Sequence, residues 1–268
     1  MEITEIGSGV RFGSVRKSSG GKCAGKCRAT CRAAERHLRA EAAWCFNPIM
    51  RSDTQPVSIR EARNRILAEI GDGVTLVAAS KRQPEGRIAE ALEAGQRVFG
   101  ENRVQEAQQR WVDRLSEYED LELRLIGPLQ TNKAEDAVQL FHVIETLDRE
   151  KLLRALVKAI EKMSVAPPDL LIQVNTGDEP QKGGVSVDGL ADLVTVTREV
   201  YPGQLVGLMC IPPADEPAAP HFALLKKLAD EHQLAQVSMG MSGDYAMAAR
   251  LGATHVRIGT AFFGARDA

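Results

Sequence analysis

VTLVAASK, residues 74–81, reads as a strand that runs into a lysine and stops. Its apolar and small residues are nearly continuous, as in a strand covered on both faces, and a polar turn with Pro84 follows. The pattern then repeats. Strand-like segments recur as RVFG at 97–100, LELRLIG at 121–127, FHVIETL at 141–147 and DLLIQVN at 169–175. QLVGLMCI at 204–211, AQVSMG at 235–240 and HVRIGT at 255–260 complete the set. Between them a helical spacing of apolar residues returns near 85–94, 102–117, 130–139, 148–163, 188–200, 218–233 and 243–251. Short buried strands alternating with amphipathic helices imply parallel pairing. Eight such strands in about 190 residues predict an α/β fold, a closed (β/α)8 TIM-type barrel. An open doubly wound sheet is the alternative. A helix opens the pattern: Ser58 caps it, Ile59, Ala62, Ile66 and Ile70 share one face, and Gly71 and Gly73 end it. It is expected to cover the barrel floor or to pack beside the last strand.

Composition bounds the rest. The chain has 268 residues, 44% hydrophobic and 26% charged, with a net charge of −2. No overall basic field points to nucleic acid, and no apolar run approaches a membrane span. The charge is uneven: residues 1–50 hold nine Lys/Arg against four Asp/Glu, a net of +5 that leaves −7 for the remainder. Cys23, Cys27, Cys31 and Cys45 fall in that same leader, and only Cys210 in the body. A secreted disulfide fold would spread its cysteines, so the body reads as cytoplasmic and reducing. Residues 1–49 are therefore read as a disordered leader or the product of a start placed upstream of Met50, and residues 50–268 as the barrel. An Arg-rich transit peptide is a further reading of the leader, and a metal site is not favoured, because tight CxxC pairs are absent.

In barrels of this kind the chemistry lies at the C-terminal ends of the strands. Lys81 sits there after the first strand and Asn102 after the second; the turn SMGMSGD at 238–244 follows the seventh, and Arg257, Gly259 and Thr260 end the eighth. Gly240 and Gly243 allow close backbone approach, and Ser242 is expected to cap the next helix. Hydroxyls and backbone N–H groups in the last two loops make an anion site where such barrels hold phosphate. An amine facing a phosphate site, with Arg257 available for a ring nitrogen, fits pyridoxal 5′-phosphate (PLP).

At these residues the chain resembles a known family. VAASK, FGENRVQEA, IGPLQTNK, GLMCIPP and SMGMSGDYAMAARLGATHVRIGTAFFG are similar to the motifs of the pyridoxal phosphate homeostasis protein family, related to the barrel domain of alanine racemase. The resemblance spans nearly all of residues 57–266 and none of the leader. It implies PLP bound covalently at Lys81 as a Schiff base, with Asn102 and Met241 close to the cofactor. It implies that Ser242, Gly259 and Thr260 hold the phosphate and that Arg257 faces the pyridine nitrogen. Arg124 and Pro128 stand where members commonly carry histidines.

The remaining residues take structural readings. The histidines show no ligand spacing; Lys133 reads as a solvated helix residue, with contact to an anion as the alternative, and Cys210 reads as core. Ile211-Pro212-Pro213 reads as a rigid strand exit, and 178–184 as a mobile glycine-rich loop. Racemisation on PLP needs acid/base groups on both faces of the carbon. The chain ends soon after the eighth strand, and Tyr118, Tyr201 and Tyr245 fall in helices or at helix ends. The expectation is thus a non-catalytic protein of PLP homeostasis that binds, stores and delivers the cofactor. PLP-dependent apoenzymes are the expected recipients, and the protein is expected to be a monomer or weak dimer. A PLP-dependent amino-acid racemase is the alternative, and a phosphate-binding barrel without pyridoxal chemistry is a third reading.

Overall fold

The computed structural model describes residues 58–179 and 181–264, all within the unit Gln55–Ala268. The expectations for the leader lie outside the described residues. The strands are β1 (Thr75–Ala79), β2 (Val98–Glu101), β3 (Glu122–Leu125), β4 (Val143–Leu147), β5 (Asp169–Asn175), β6 (Val185–Ser186), β7 (Leu205–Cys210), β8 (Gln236–Ser238) and β9 (His255–Ile258). Every pairing is parallel. The order β4-β3-β2-β1-β9-β8-β7-β5 closes through β4–β5, so eight strands form a complete barrel. The open-sheet alternative is excluded. β6 is a ninth strand, two residues long, hung on β5 outside the ring.

The helices are α1 (Ile59–Ile70), α2 (Glu85–Glu93), α3 (Val104–Glu117), α4 (Ala134–Leu140), α5 (Glu150–Met163), α6 (Leu190–Val200), α7 (Ala218–Glu231), α8 (Tyr245–Arg250) and α9 (Thr260–Phe263). In α1 the Ser58 Oγ accepts from the Glu61 N–H at 3.2 Å, and Ile59, Ala62, Ile66 and Ile70 are buried. The helix packs against α2, α8 and α9, in the outer ring beside the last strand rather than under the floor. Ile59 N–H donates to Glu90 Oε1 in α2 at 3.0 Å, and Arg65 Nη2 donates to Ala261 O in α9 at 3.2 Å. The barrel seam between first and last strands is thus covered by a segment that precedes both.

Strand alternation decides what fills the interior. Leu76, Ala78, Phe99, Leu123, Leu125 and Ile144 join the cluster shared with the helices. Val143, Leu171 and Met209 form a separate, smaller cluster. Beside it lies a network of charged side chains. Arg124 Nε donates to Glu145 Oε1 at 2.6 Å, and Arg124 Nη2 donates to Gln236 Oε1 at 3.0 Å. β3 and β8 stand opposite in the ring, four strands apart either way, so these side chains meet across the barrel interior. Arg124 is 1% exposed and Glu145 fully buried.

One local expectation is corrected. Ser242 does not cap α8: its Oγ accepts from the Ala261 N–H at 3.2 Å, tying the loop after β8 to α9. Asp244 precedes α8, and its carboxylate is occupied by the Met241 N–H at 2.5 Å. Described residues of the 178–184 segment hydrogen-bond to their neighbours. Asn175 Nδ2 donates to Glu179 O at 2.8 Å, Gln173 Nε2 to Gly183 O at 2.9 Å and Lys182 Nζ to Pro212 O at 3.3 Å. Gly184 has φ of +121°, and a Cβ there would stand 2.7 Å from Asn175 N, so this glycine serves close backbone approach.

Candidate functional site

β1 ends at Ala79, and the strand period carries Lys81 onto the same side as Ala79. Both line a cavity of about 340 Å³ at the C-terminal ends of the strands. Asn102, Met241, Ser242, Arg257, Gly259 and Thr260 line it too, so all seven residues singled out in the sequence meet in one place. Gln83, Ile126 and Ile211 complete the walls and were not foreseen as contacts. Ile211 belongs to the rigid Pro212-Pro213 exit, which does shape this rim.

The lysine turn is held from behind. Arg82 has φ of +58°, a left-handed conformation that non-glycine residues rarely adopt. Arg110 of α3 fixes the turn by donating to Ser80 O at 2.8 Å and to Gln83 O at 3.0 Å, on either side of Lys81-Arg82. The same guanidinium donates to Glu101 Oε1 at 2.8 Å. That oxygen also accepts from Ser80 Oγ at 2.8 Å and Trp111 Nε1 at 2.9 Å, while Glu101 Oε2 is buried without a partner. Glu101 is fully buried. The sequence showed Glu101 only as part of a GEN motif, and nothing in periodicity linked it to Arg110.

Arg257 is held as firmly. Its Nη1 donates to Ser238 Oγ at 2.6 Å and its Nη2 to Cys210 O at 2.7 Å. Ser238 Oγ in turn donates to Glu145 Oε2 at 2.6 Å, and Glu145 lies 3.9 Å from Arg257 Nη1. Glu145 is thus a longer-range ion-pair partner of Arg257. Two of five guanidinium N–H groups are used, leaving three for a ligand. Burial alone would raise the Glu145 carboxyl. Arg124, Arg257 and the Ser238 hydroxyl outweigh it and hold the group below its ordinary range. Burial pushes the Cys210 thiol up to about 12, so it behaves as core.

His255, two residues before Arg257, carries a pH dependence. Burial first, then the Arg124 charge, push its pKa down to about 4, against the pull of Glu145. In the unfolded chain it titrates near 6.5. Between those values the unfolded state binds a proton that the native state refuses, so stability falls as pH drops through that window. The loss is expected to reach about 3 kcal/mol. Urea unfolding between pH 7 and pH 4 checks this, and His255→Gln is expected to flatten the profile.

The donor set suits a phosphomonoester. The Ser242 hydroxyl accepts from Ala261, which frees its own O–H to donate into the cavity. The backbone N–H groups of Ser242, Gly243 and Gly259 have no protein acceptor among the described residues. No carboxylate lines the cavity, and Lys81 and Arg257 bring two positive charges to it.

Comparison with known proteins agrees with this geometry. The family model of the alanine racemase N-terminal domain matches residues 59–267. The pyridoxal phosphate homeostasis protein of Aquifex aeolicus (strain VF5) is 41% identical over 200 residues, 71% of this chain and 86% of that protein. Its counterpart in Escherichia coli (strain K12) is 37% identical over 208 residues, 72% of this chain and 86% of that protein. The chain belongs to the pyridoxal phosphate homeostasis protein family. A solved relative, PipY of Synechococcus elongatus PCC7942 with PLP bound, is 36% identical and superposes with a TM-score of 0.70. The match covers 77% of this chain and all of that one. Within the family's barrel, Arg124 occupies the interior as the partner of Glu145, below the rim, and Pro128 is exposed at the rim.

Proposed function

We propose that this chain binds PLP in the cavity at the ends of β1, β8 and β9, with Lys81 Nζ as the point of covalent attachment. Its role is to hold the cofactor in the cytoplasm and deliver it to PLP-dependent apoenzymes, as a monomer or weak dimer. The observation that carries this reading is the convergence of one amine, one guanidinium and two hydroxyls on a single acid-free cavity. The similarity to PipY, solved with PLP bound, supports it.

Bound there, the cofactor supplies an aldehyde carbon that accepts a primary amine and a conjugated ring that spreads negative charge. Lys81 offers the amine. Ser242, Thr260 and the N–H groups of Ser242, Gly243 and Gly259 hold the phosphate. Arg257, fixed by Ser238 and Cys210, would donate to the ring nitrogen without giving it a proton, because guanidinium stays protonated. A nitrogen kept without a proton leaves the ring a weak electron sink. Asn102 and Met241 would stand beside the cofactor, and Ile126 and Ile211 would offer it an apolar wall.

Holding, rather than turnover, is also supported by the lining. Besides Lys81, the described lining contains no His, Tyr, Asp, Glu or Cys. Tyr245 OH donates to Glu69 in α1 at 2.5 Å, and Tyr201 OH donates to Pro168 O at 2.5 Å, so both phenols are engaged elsewhere. Racemisation remains the second reading, favoured by the match to the alanine racemase domain. Incubating the cofactor-loaded protein with each L-amino acid in deuterated water separates the two. Holding predicts no D-amino acid; its formation at ordinary enzyme rates of about 1–1000 per second would establish the racemase.

The phosphate assignment has its own test. Each hydroxyl bonded to a charged acceptor contributes about 1.5–3 kcal/mol. Ser242→Ala/Thr260→Ala is expected to weaken PLP binding at least about tenfold, read by absorbance titration, and to cost about 1 kcal/mol of stability through the lost Ser242–Ala261 bond. Unchanged affinity would place the phosphate elsewhere.

A further inference from the structure

Charge is divided across the barrel mouth. The four consecutive loops after β1, β2, β3 and β4 each contribute a cation: Arg82 beside Lys81, then Arg103, Lys133 and Arg149. The loops after β5, β7 and β8 are acidic on balance, with Asp178, Glu179, Asp215, Glu216 and Asp244 against one cation, Lys182, which pairs with Glu179. The cationic half encloses a basin of about 1100 Å³, larger than the cofactor cavity and adjoining it. Lys81 and Asn102 belong to both, so the amine stands at the passage between them. Lys133, expected to be a solvated helix residue, lines this basin half-buried, at the end of a 3-10 turn over Thr131–Lys133.

The cations are available to a ligand. Arg103 pairs with Glu106 at 3.1 Å, Lys133 with Asp136 at 3.4 Å, and Arg149 with Asp148. Arg82 has no ion-pair partner among the described residues. Solvent-exposed pairs of this kind are weak and yield to a dianion that can accept several charge-assisted bonds. One acid, Glu106, lines the basin against five cations. The acidic half of the rim turns an approaching anion away, so the summed field leads it to this side.

We propose that the basin is a second phosphomonoester site, at which PLP entering or leaving the inner cavity is held by its phosphate beside Lys81. The inference rests on the cofactor reading and adds a station that reading does not require. Arg82, Lys133 and Arg149 grip the phosphate, which leaves the aldehyde end free to reach the lysine at the passage. No bond is made or broken in this step; the ligand is only captured and oriented. Two sites in series would also allow release toward an acceptor without returning the cofactor directly to bulk solvent.

The test follows PLP uptake by cofactor-free protein in a stopped-flow absorbance experiment. In wild type the observed rate is expected to level off as PLP concentration rises, because the outer site fills first. In Arg82→Glu/Lys133→Glu the levelling is expected to move to at least about tenfold higher concentration at low salt. The difference is expected to shrink toward wild type at about 0.5 M salt, where the field is screened. The neutral pair Arg82→Gln/Lys133→Gln is expected to fall between, and it carries the test if charge reversal prevents folding. Competition by inorganic phosphate, raising the half-saturating PLP concentration without lowering the plateau, would mark the shared chemistry as phosphate. A rate linear in PLP throughout, or variants identical to wild type at low salt, would overturn the proposal. Wild type that takes up no PLP at all would overturn the cofactor reading itself, and this inference with it.

Discussion

Glu145→Ala is expected to cost about 3–5 kcal/mol of folding stability, read as a lower urea midpoint at unchanged slope. The carboxylate is fully buried and takes Arg124 at 2.6 Å, Ser238 at 2.6 Å and Arg257 at 3.9 Å. Removing it leaves Arg257 without a carboxylate partner among the described residues, and leaves Arg124 only the partly exposed Glu122 at 2.7 Å. The cost is that of uncompensated buried charge, so it differs from the worth of the pair. Replacing Arg124 and Glu145 together by methionine is therefore expected to cost less than Glu145→Ala alone. A double variant less stable than the single one would refute this electrostatic account of the interior. Loosening of Arg257 is expected alongside, seen as weaker PLP binding in either variant.

Arg110→Ala is the other large effect, again about 3–5 kcal/mol. It strips buried Glu101 of its one cationic partner among the described residues and frees the carbonyls of Ser80 and Gln83. The left-handed Arg82 then loses its brace, and the turn that carries Lys81 loosens. Cofactor affinity is expected to fall with stability, whereas Arg114→Ala, one turn along the same helix and paired with exposed Glu85 at 2.7 Å, is expected to change stability by about 1 kcal/mol or less. Equal effects of the two substitutions would show that the brace is not what orients the lysine.

These two clusters also mark where sequence reading runs out. The barrel was legible because parallel strands covered on both faces appear as short apolar runs, each separated by a helical period. The site was legible because strand ends fall at fixed points of that pattern, which put Lys81, Asn102, Ser242, Arg257 and Thr260 on one rim. β6 left no signal, since two residues carry no period. The Arg124–Glu145–Ser238–Arg257 network was hidden because its members lie on four different strands, β3 opposite β8 and β4 opposite β9 in the ring. Linking them requires the closed barrel, not the chain order. Ser242 misled for a related reason: a serine three residues before a helix matches a local cap, yet its partner Ala261 is 19 residues away. The basic half of the rim was hidden likewise, because its cations are single residues in four separate loops.

The central claim is that Lys81 carries the cofactor. Borohydride reduction of the PLP-loaded protein, followed by peptide mapping in a mass spectrometer, tests it directly. The account predicts one reduced pyridoxyl adduct, on the peptide containing Lys81, and its loss in Lys81→Ala with the fold intact. An adduct on Lys133, Lys182 or any other lysine in its place, or a protein that binds PLP and yields no adduct, would contradict it.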